Sequence, residues 1–551
     1  MSPMKASDLF VKCLEAEGVD FIFGVPGEEN LDLVESLRTS SIRLIVTRHE
    51  QHAAFMAATY GRLTGKAGVC LATLGPGATN LLTGIAHAQL GGMPLVAITG
   101  QKSLHDNWQG NFQLVDVVST FRPLTKWNTS IVAAHTIPRF VRHAFKEAEG
   151  ERPGAVHLEL PEDVAGQTVE EPRIEPRAPV RRPVPDDKAI RLAVERIRRA
   201  KNPMMILSAG ANRKRIGKQL HLFLEKTGMY AVTTQMGKGV LSDDSPHSLF
   251  TLGIHKKDYV HTALDTADLV LTVGYDLVEY PPSVWNGEHD KAIIHIDFNV
   301  AEPEEHYHPE LEVIGDISYS LWAMHSQLEG VEFDNAHLAE LRQRLDLALH
   351  AQEYEPAYPL KPQQIVRDVR QVMARDDIIG LDNGIYKLWF ARMYKTYEEN
   401  TVLLDNALAT MGAGLASAMA AKLVSPERRV LAICGDGGFM MNSQDFETAV
   451  RLGLDLVVLL LRDDAYGFIR WKQDGMGFPE YGMAFGNPDF VRYAESYGAR
   501  GLRVGSSDRL DEVLEEAFSI GGPVLVDCPI DYSENARLNM ELTLEDAETR
   551  G

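Results

Sequence analysis

Arg429-Val430-Leu431-Ala432-Ile433-Cys434-Gly435-Asp436-Gly437-Gly438-Phe439 reads as a buried strand, a glycine turn and the start of a helix. An amphipathic stretch with Phe446, Ala449 and Val450 follows, and then a second aliphatic run, Leu456 to Leu461. Strand, turn, helix and strand in that order give a crossover unit of a parallel sheet. The same alternation extends outward through the chain. Phe21–Val25, Arg43–Val46, Gly68–Thr73 and Pro94–Ile98 read as strands in the first third. Met204–Leu207, Leu269–Val273 and Ala292–Ile296 do so in the middle, and Pro523–Val526 in the last third. The fold class is therefore α/β, with three doubly wound parallel-sheet domains. Two proline- and charge-rich breaks, Glu171–Pro185 and Ala351–Pro359, separate them. The expected boundaries are 1–170, 186–350 and 360–535, with a tail over 536–551.

Composition narrows the function. The 551 residues are 45% hydrophobic and 24% charged, which supports several packed cores and excludes global disorder. A net charge of −22 repels nucleic acid and anionic lipid, so neither is an expected partner. Cys13, Cys70, Cys434 and Cys528 form no CxxC pair, which fits reduced thiols better than a disulfide frame or a zinc site. No apolar run reaches the roughly 18 residues a bilayer demands. The start lacks the apolar core of a signal peptide, so a cytoplasmic location is expected.

Ligands in doubly wound sheets lie beyond the carboxyl ends of strands, so the glycine turns are the candidate sites. At Gly435-Asp436-Gly437-Gly438 the backbone can approach a phosphate, and the helix that follows offers free N–H groups. Asp436 places a carboxylate beside that phosphate, and a cation between the two is needed; magnesium is the usual one. A lone turn of this kind is common. What singles it out is a second acidic loop, Arg462-Asp463-Asp464-Ala465-Tyr466-Gly467, with 25 residues between Gly437 and Asp463. That spacing is one helix plus one strand, so both loops return to the same sheet edge.

Here the chain resembles the thiamine-diphosphate-dependent enzymes, and among them the catalytic subunits of acetolactate and acetohydroxyacid synthases. The family usually carries Asn-Asn where this chain has Arg462-Asp463. Alignment on Gly467 implies Asp436, Asp463 and the Ala465 carbonyl as magnesium ligands. Thr47-Arg48-His49-Glu50-Gln51-His52 resembles the segment whose glutamate activates the cofactor at its pyrimidine N1′, which assigns that role to Glu50. Leu74-Gly75-Pro76-Gly77-Ala78-Thr79-Asn80 resembles the family's GPGATN turn. The resemblance implies cofactor contacts at Gly27, Gly75, Gly77, Asn80, Gly384, Tyr386, Gly435, Gly437, Gly438, Tyr466 and Gly467. It also implies that Met411 wedges between the cofactor's rings and that the Ala409 carbonyl accepts from its amino group. The three domains become pyrimidine-binding, middle and diphosphate-binding, and the family pattern implies a homodimer or tetramer with sites between subunits.

The implied activity is decarboxylation of pyruvate and ligation of the remaining two-carbon unit to a second 2-oxo acid, giving 2-acetolactate. Decarboxylases of the yeast type carry a His-His pair, and none occurs here. Gln113 falls where carboligases have a glutamine, an amide able to bond a carbonyl. Val273–Tyr280 with Trp285-Asn286, and Tyr493–Ala499, look like catabolic acetolactate synthases. The alternative is a 2-oxo acid decarboxylase or aldehyde carboligase with a bulkier substrate. The resemblance also points to FAD as a non-redox group on the middle domain, at Gly210, Thr233, Met236, Gly253, His255, Gly274, Asp297 and Asp316, although Tyr275 replaces the arginine of flavin-binding relatives. Lys472 falls where biosynthetic enzymes have an acceptor-selecting tryptophan, with Trp471 one residue earlier. Pyruvate or an aldehyde as acceptor, and butanediol or branched-chain metabolism as context, stay open.

Overall fold

The computed structural model describes residues 3–106, 108, 110–170, 172–177, 182–213, 216–253, 260–350, 357–535 and 538. Three six-stranded sheets, parallel at every pairing, form the scaffold. In the first, Phe21–Gly24 lies between Arg43–Val46 and Gly68–Ala72, followed by Leu95–Gln101, Ala155–Pro161 and Trp127–Ser130. In the second, Pro203–Leu207 lies between Tyr230–Thr233 and Leu269–Val273. In the third, Ile378–Leu381 lies between Val402–Leu403 and Val430–Gly435, with Val457–Arg462, Val524–Pro529 and Arg500–Arg503 beyond.

The order of strands decides where ligands can bind. In each sheet the chain builds outward in one direction, returns, and then builds in the other. The switch points fall between Phe21–Gly24 and Gly68–Ala72, between Pro203–Leu207 and Leu269–Val273, and between Ile378–Leu381 and Val430–Gly435. A crevice opens at such points because the two connections leave in opposite directions. The glycine turns singled out in the sequence lie at all three.

Central strands form because their residues suit burial on both faces. Val457 to Leu461 are all essentially solvent-free, and full burial of each such side chain contributes about 1.5–3 kcal/mol. Edge strands are different. Trp127–Ser130 is half-buried along its length.

The chain forms two compact bodies. The first holds 1–181 with 407–426 and 440–454; the second holds 182–406, 427–439 and 455–551. Two helical segments of the last third therefore belong to the body of the first sheet. In that body the helix Gly414–Val424 packs on Glu50–Thr64, where Thr59 Oγ1 donates to Ser417 Oγ at 3.1 Å. All four cysteines are free and buried, and burial pushes the Cys13 thiol up to about 12. Among the described residues no helix is long and apolar enough to cross a membrane.

Candidate active site

In the first body Glu50 opens the helix Glu50–Thr64, with His49 as its N-cap, whose ring nitrogen accepts from Gln51 N–H at 3.1 Å. The helix stops at Gly65 in the left-handed conformation, φ +70°. Glu50 is 9% exposed. Asn80 Nδ2 donates to Glu50 Oε2 at 2.9 Å. Gly77 lies against Thr73 and against Glu50 Oε1. Gly27 packs on the Thr73 side chain, and Thr73 Oγ1 donates to the buried Glu29 at 2.7 Å. Glu29 is also paired with Lys102 at 2.6 Å. Those two contacts hold its carboxyl below the usual range in spite of burial.

Gly75 has φ +32°, and a Cβ there would lie 2.2 Å from the Gln113 carbonyl oxygen. Only glycine lets the two loops meet. Gln113 itself is exposed at φ +58°. Its loop is held two residues later, where Gln101 Nε2 donates to the Val115 carbonyl at 3.3 Å and to Glu159 at 3.0 Å. The first body thus brings together Glu50, Gly27, Gly75, Gly77, Asn80 and Gln113. Ala409, at φ +54°, and the half-buried Met411 belong to the same body. Gln113, Ala409 and Asp464 are three of the six described non-glycine residues with positive φ, and such backbone strain clusters at functional sites.

In the second body three turns meet at the carboxyl ends of adjacent strands. Gly384 follows Ile378–Leu381, the Gly435–Gly438 turn ends Val430–Gly435, and the Asp463–Gly467 loop follows Val457–Arg462. Asp436 is 1% exposed. Its Oδ2 accepts from Asp464 N–H and Asn487 Nδ2, both at 2.8 Å, and its Oδ1 from Gly437 N–H at 2.9 Å. Burial raises the Asp436 carboxyl above its ordinary value. Burial, then the charge of Asp436, pushes Asp463 up to about 7, although Arg470 donates to it at 2.7 Å. A buried and a half-buried carboxylate repelling one another beside a glycine turn are a donor set for a hard cation, which would remove the repulsion. The Ala465 carbonyl accepts from Gly467 N–H at 3.0 Å and keeps a second lone pair. Among the described residues no group of three or more His, Cys, Asp or Glu side chains is arranged to hold a metal by itself.

Gly437 packs against the Tyr466 ring, Gly438 against the Asp382 carboxylate and Gly467 against Asp463. Tyr386 lies beneath two of these turns. Its ring is buried against Gly384 and Gly435, and its hydroxyl accepts from Gly435 N–H at 2.9 Å. It acts on the turn itself. Trp471 and Lys472 both lie on the helix Gly467–Gly475, where the Lys472 ammonium sits 5.0 Å from the centroid of the Trp471 ring.

The middle sheet does not fit a flavin. Its switch point is closed by Gly210 N–H donating to the Gly274 carbonyl at 2.9 Å, with the two backbones in contact. Glu279, 3% exposed, takes the donors a diphosphate would need: Met236 N–H, and the Thr234 hydroxyl at 2.5 Å. Burial pushes Glu279 up to about 7. Tyr275 stacks on Tyr307 at 5.2 Å and accepts from Trp285 Nε1 at 2.8 Å. Thr233 is bonded to Thr251 at 3.0 Å, Asp297 to Asn299 N–H at 3.1 Å, and Asp316 caps the helix Ile317–His325. Gly253 borders a segment, 254–259, that includes His255 and lies outside the described residues. At the positions where FAD is expected, a buried carboxylate, Glu279, takes the Met236 and Thr234 donors.

Residues 4–120 match the model described as thiamine pyrophosphate enzyme, N-terminal TPP binding domain. Residues 190–324 match the central domain and 382–528 the C-terminal TPP binding domain of the same enzymes. Acetolactate synthase from Bacillus subtilis (strain 168) is 35% identical over 543 residues, covering 97% of this chain and 94% of the relative. The catabolic acetolactate synthase of Raoultella terrigena is 34% identical, with 98% and 97% covered. A probable acetolactate synthase large subunit of Methanococcus aeolicus is 31% identical, with 96% and 92% covered. The chain belongs to the thiamine-diphosphate-dependent acetolactate synthase family. Within this synthase fold, the spacing of Asp436 and Asp463 and the placing of Glu50 were legible in sequence. Asn487, Asp382, Glu29 and Glu279 were not: each is a single polar residue far in sequence from the group it serves.

Proposed function

We propose that this synthase converts two molecules of pyruvate and one proton into 2-acetolactate and carbon dioxide. The observation that carries the reading is the Glu50 carboxylate, held by Asn80 beside the Gly77 turn at a sheet switch point. Thiamine diphosphate supplies, when bound, the nucleophilic carbon and the electron sink for decarboxylation. Asn80 engages Oε2 of Glu50, and Oε1 would then share a proton with the pyrimidine N1′. Gly75, Gly77 and Gly27 let backbone approach that ring. Asp436, Asp463 and the Ala465 carbonyl would hold Mg2+, and the Gly435–Gly438 turn would receive the diphosphate. Met411 and the Ala409 carbonyl would hold the cofactor's rings. The Gln113 amide orients the oxo group of a bound 2-oxo acid without delivering a proton, which favours carbon–carbon bond formation over release of an aldehyde. FAD has no part in this reading, because Glu279 occupies its cradle.

The assembly in this reading is a cytoplasmic homodimer or tetramer. The helix Gly467–Gly475 buries none of its residues within the chain, and Met476, Phe478 and Tyr481 beyond it are exposed, Tyr481 at 85%. The test is pyruvate turnover by purified protein with and without thiamine diphosphate and Mg2+, after a visible spectrum. Acetolactate that depends on both cofactors, from protein without a flavin band, is the expected outcome. Acetaldehyde or peroxide in its place would move the activity to a decarboxylase or an oxidase.

A further inference from the structure

Val46 and Arg48, four and two residues before Glu50, are gripped from one short helix and the turn that enters it. Phe446–Leu452 is entered through the turn Ser443–Asp445. Asp445 is wholly buried. Its Oδ1 accepts from Arg48 N–H at 2.8 Å and from the Thr448 hydroxyl at 2.9 Å. One turn and a half later, Arg451 Nη2 donates to the Val46 carbonyl at 2.5 Å. The residue between, Thr47, donates its N–H to the Gly24 carbonyl at 3.0 Å and its hydroxyl to the His49 carbonyl at 3.1 Å. The backbone after Arg43–Val46 is thus held from outside the segment at Val46, Thr47 and Arg48 in succession.

A third contact touches the helix itself. Asp445 Oδ2 faces His52 Nδ1 at 3.8 Å, and neither atom has a hydrogen-bond partner. His52 is fully buried, with Nε2 3.3 Å from Met419 Sδ. A buried carboxylate is costly unless its partners repay the lost hydration. Here the partners are a backbone N–H two residues before Glu50 and a ring two residues after it. Neither contact stabilises a core strand. They flank Glu50 at two residues' distance on either side.

We propose that Asp445 and Arg451 are positioning residues for Glu50, a carboxylate–guanidinium clamp on the Val46–Arg48 backbone that sets the reach of the Glu50 carboxylate toward the cofactor. The inference rests on the reading of Glu50 as the activating acid. The consequence is a dependence of proton exchange at the cofactor, rather than of cofactor binding, on a residue that touches neither cofactor nor substrate. Misplacing a reacting group by about 1 Å can cost on the order of 10²-fold in rate.

The experiment uses the full chain loaded with thiamine diphosphate and Mg2+. It reads the rate of hydrogen–deuterium exchange at thiazolium C2 in quenched samples by NMR, alongside cofactor affinity and thermal unfolding. Glu50→Gln should slow exchange by about 10²–10⁴-fold. Asp445→Ala should slow it by about 10²-fold with cofactor affinity changed by less than about 3-fold. Asp445→Asn keeps an oxygen acceptor for Arg48 N–H and should recover to within about 10-fold of wild type. Arg451→Ala removes only a partly exposed side chain and should slow exchange by about 10-fold. Adding Asp445→Ala to Glu50→Gln should bring no further loss, because the clamp acts through Glu50 alone. Wild-type exchange in folded Asp445→Ala, or in Arg451→Ala should the former not fold, overturns the clamp. Wild-type exchange in Glu50→Gln overturns the reading of Glu50 beneath it.

Discussion

Glu50 and Asn80 meet because a helix N-terminus and a glycine turn leave the two strands that flank Phe21–Gly24 in one sheet. Replacing Glu50 with Gln keeps the Asn80 contact and the shape but removes the charge. Turnover of pyruvate should fall by about 10²–10⁴-fold, while thermal unfolding and cofactor affinity stay near wild type; titration of both quantities in one preparation checks this. Glu279 gives a pH signature of its own. Burial raises its folded pKa to about 7, above the unfolded value of 4.5. A raised carboxyl pKa gives stability that is fully present below the unfolded pKa and is lost as pH rises through the folded one. Glu279→Gln has no such loss. Its stability relative to wild type should therefore grow by up to ~3 kcal/mol between pH 5 and 8, measured as the difference in unfolding midpoints. A flat difference would remove the buried charge from the account. Glu50 and Asp436 could be read from the sequence because a motif surrounds each. Glu279 stood inside a quoted segment, yet its burial follows from Thr234 and Met236, which pattern alone does not bring to it.

At the scale of elements, the strands with apolar residues on both faces were readable, as Leu269–Val273 and Val457–Arg462 illustrate. Short edge strands such as Trp127–Ser130 and Arg500–Arg503 were not, since one half-polar face makes them look like loops. The turns between elements depend on single buried groups. Tyr386→Phe removes the acceptor of Gly435 N–H and leaves that donor without its partner. The expected cost is about 1–3 kcal/mol in stability, together with weaker binding of thiamine diphosphate in the presence of Mg2+, read by thermal unfolding and by titration. Unchanged cofactor affinity would show that the turn keeps its shape without the hydroxyl. The helices of 407–426 and 440–454 show the limit of periodicity. An apolar stripe says that a helix buries one face but does not say against which sheet, and these two segments belong to the body of the first sheet.

For the whole molecule, three sheets repeat one architecture with three outcomes. The first switch point presents an acid, the third a pair of acids on glycine turns, and the middle one is sealed by Glu279 and a cluster of Tyr275, Trp285 and Tyr307. Two glycine-turn sites, in the first and third sheets, match the thiamine-diphosphate-binding domains that the chain carries. The carboligase claim concerns the fate of the two-carbon unit left after carbon dioxide departs, where the proposed role of Gln113 is to offer an amide and no ready acid. The measurement that bears on it most directly is the stoichiometry of the full reaction: pyruvate consumed, carbon dioxide released and acetolactate formed, followed together in one vessel with both cofactors present. Two pyruvates consumed for each carbon dioxide and each acetolactate is the expected result. One pyruvate per carbon dioxide, with acetaldehyde accumulating and no acetolactate, would contradict it.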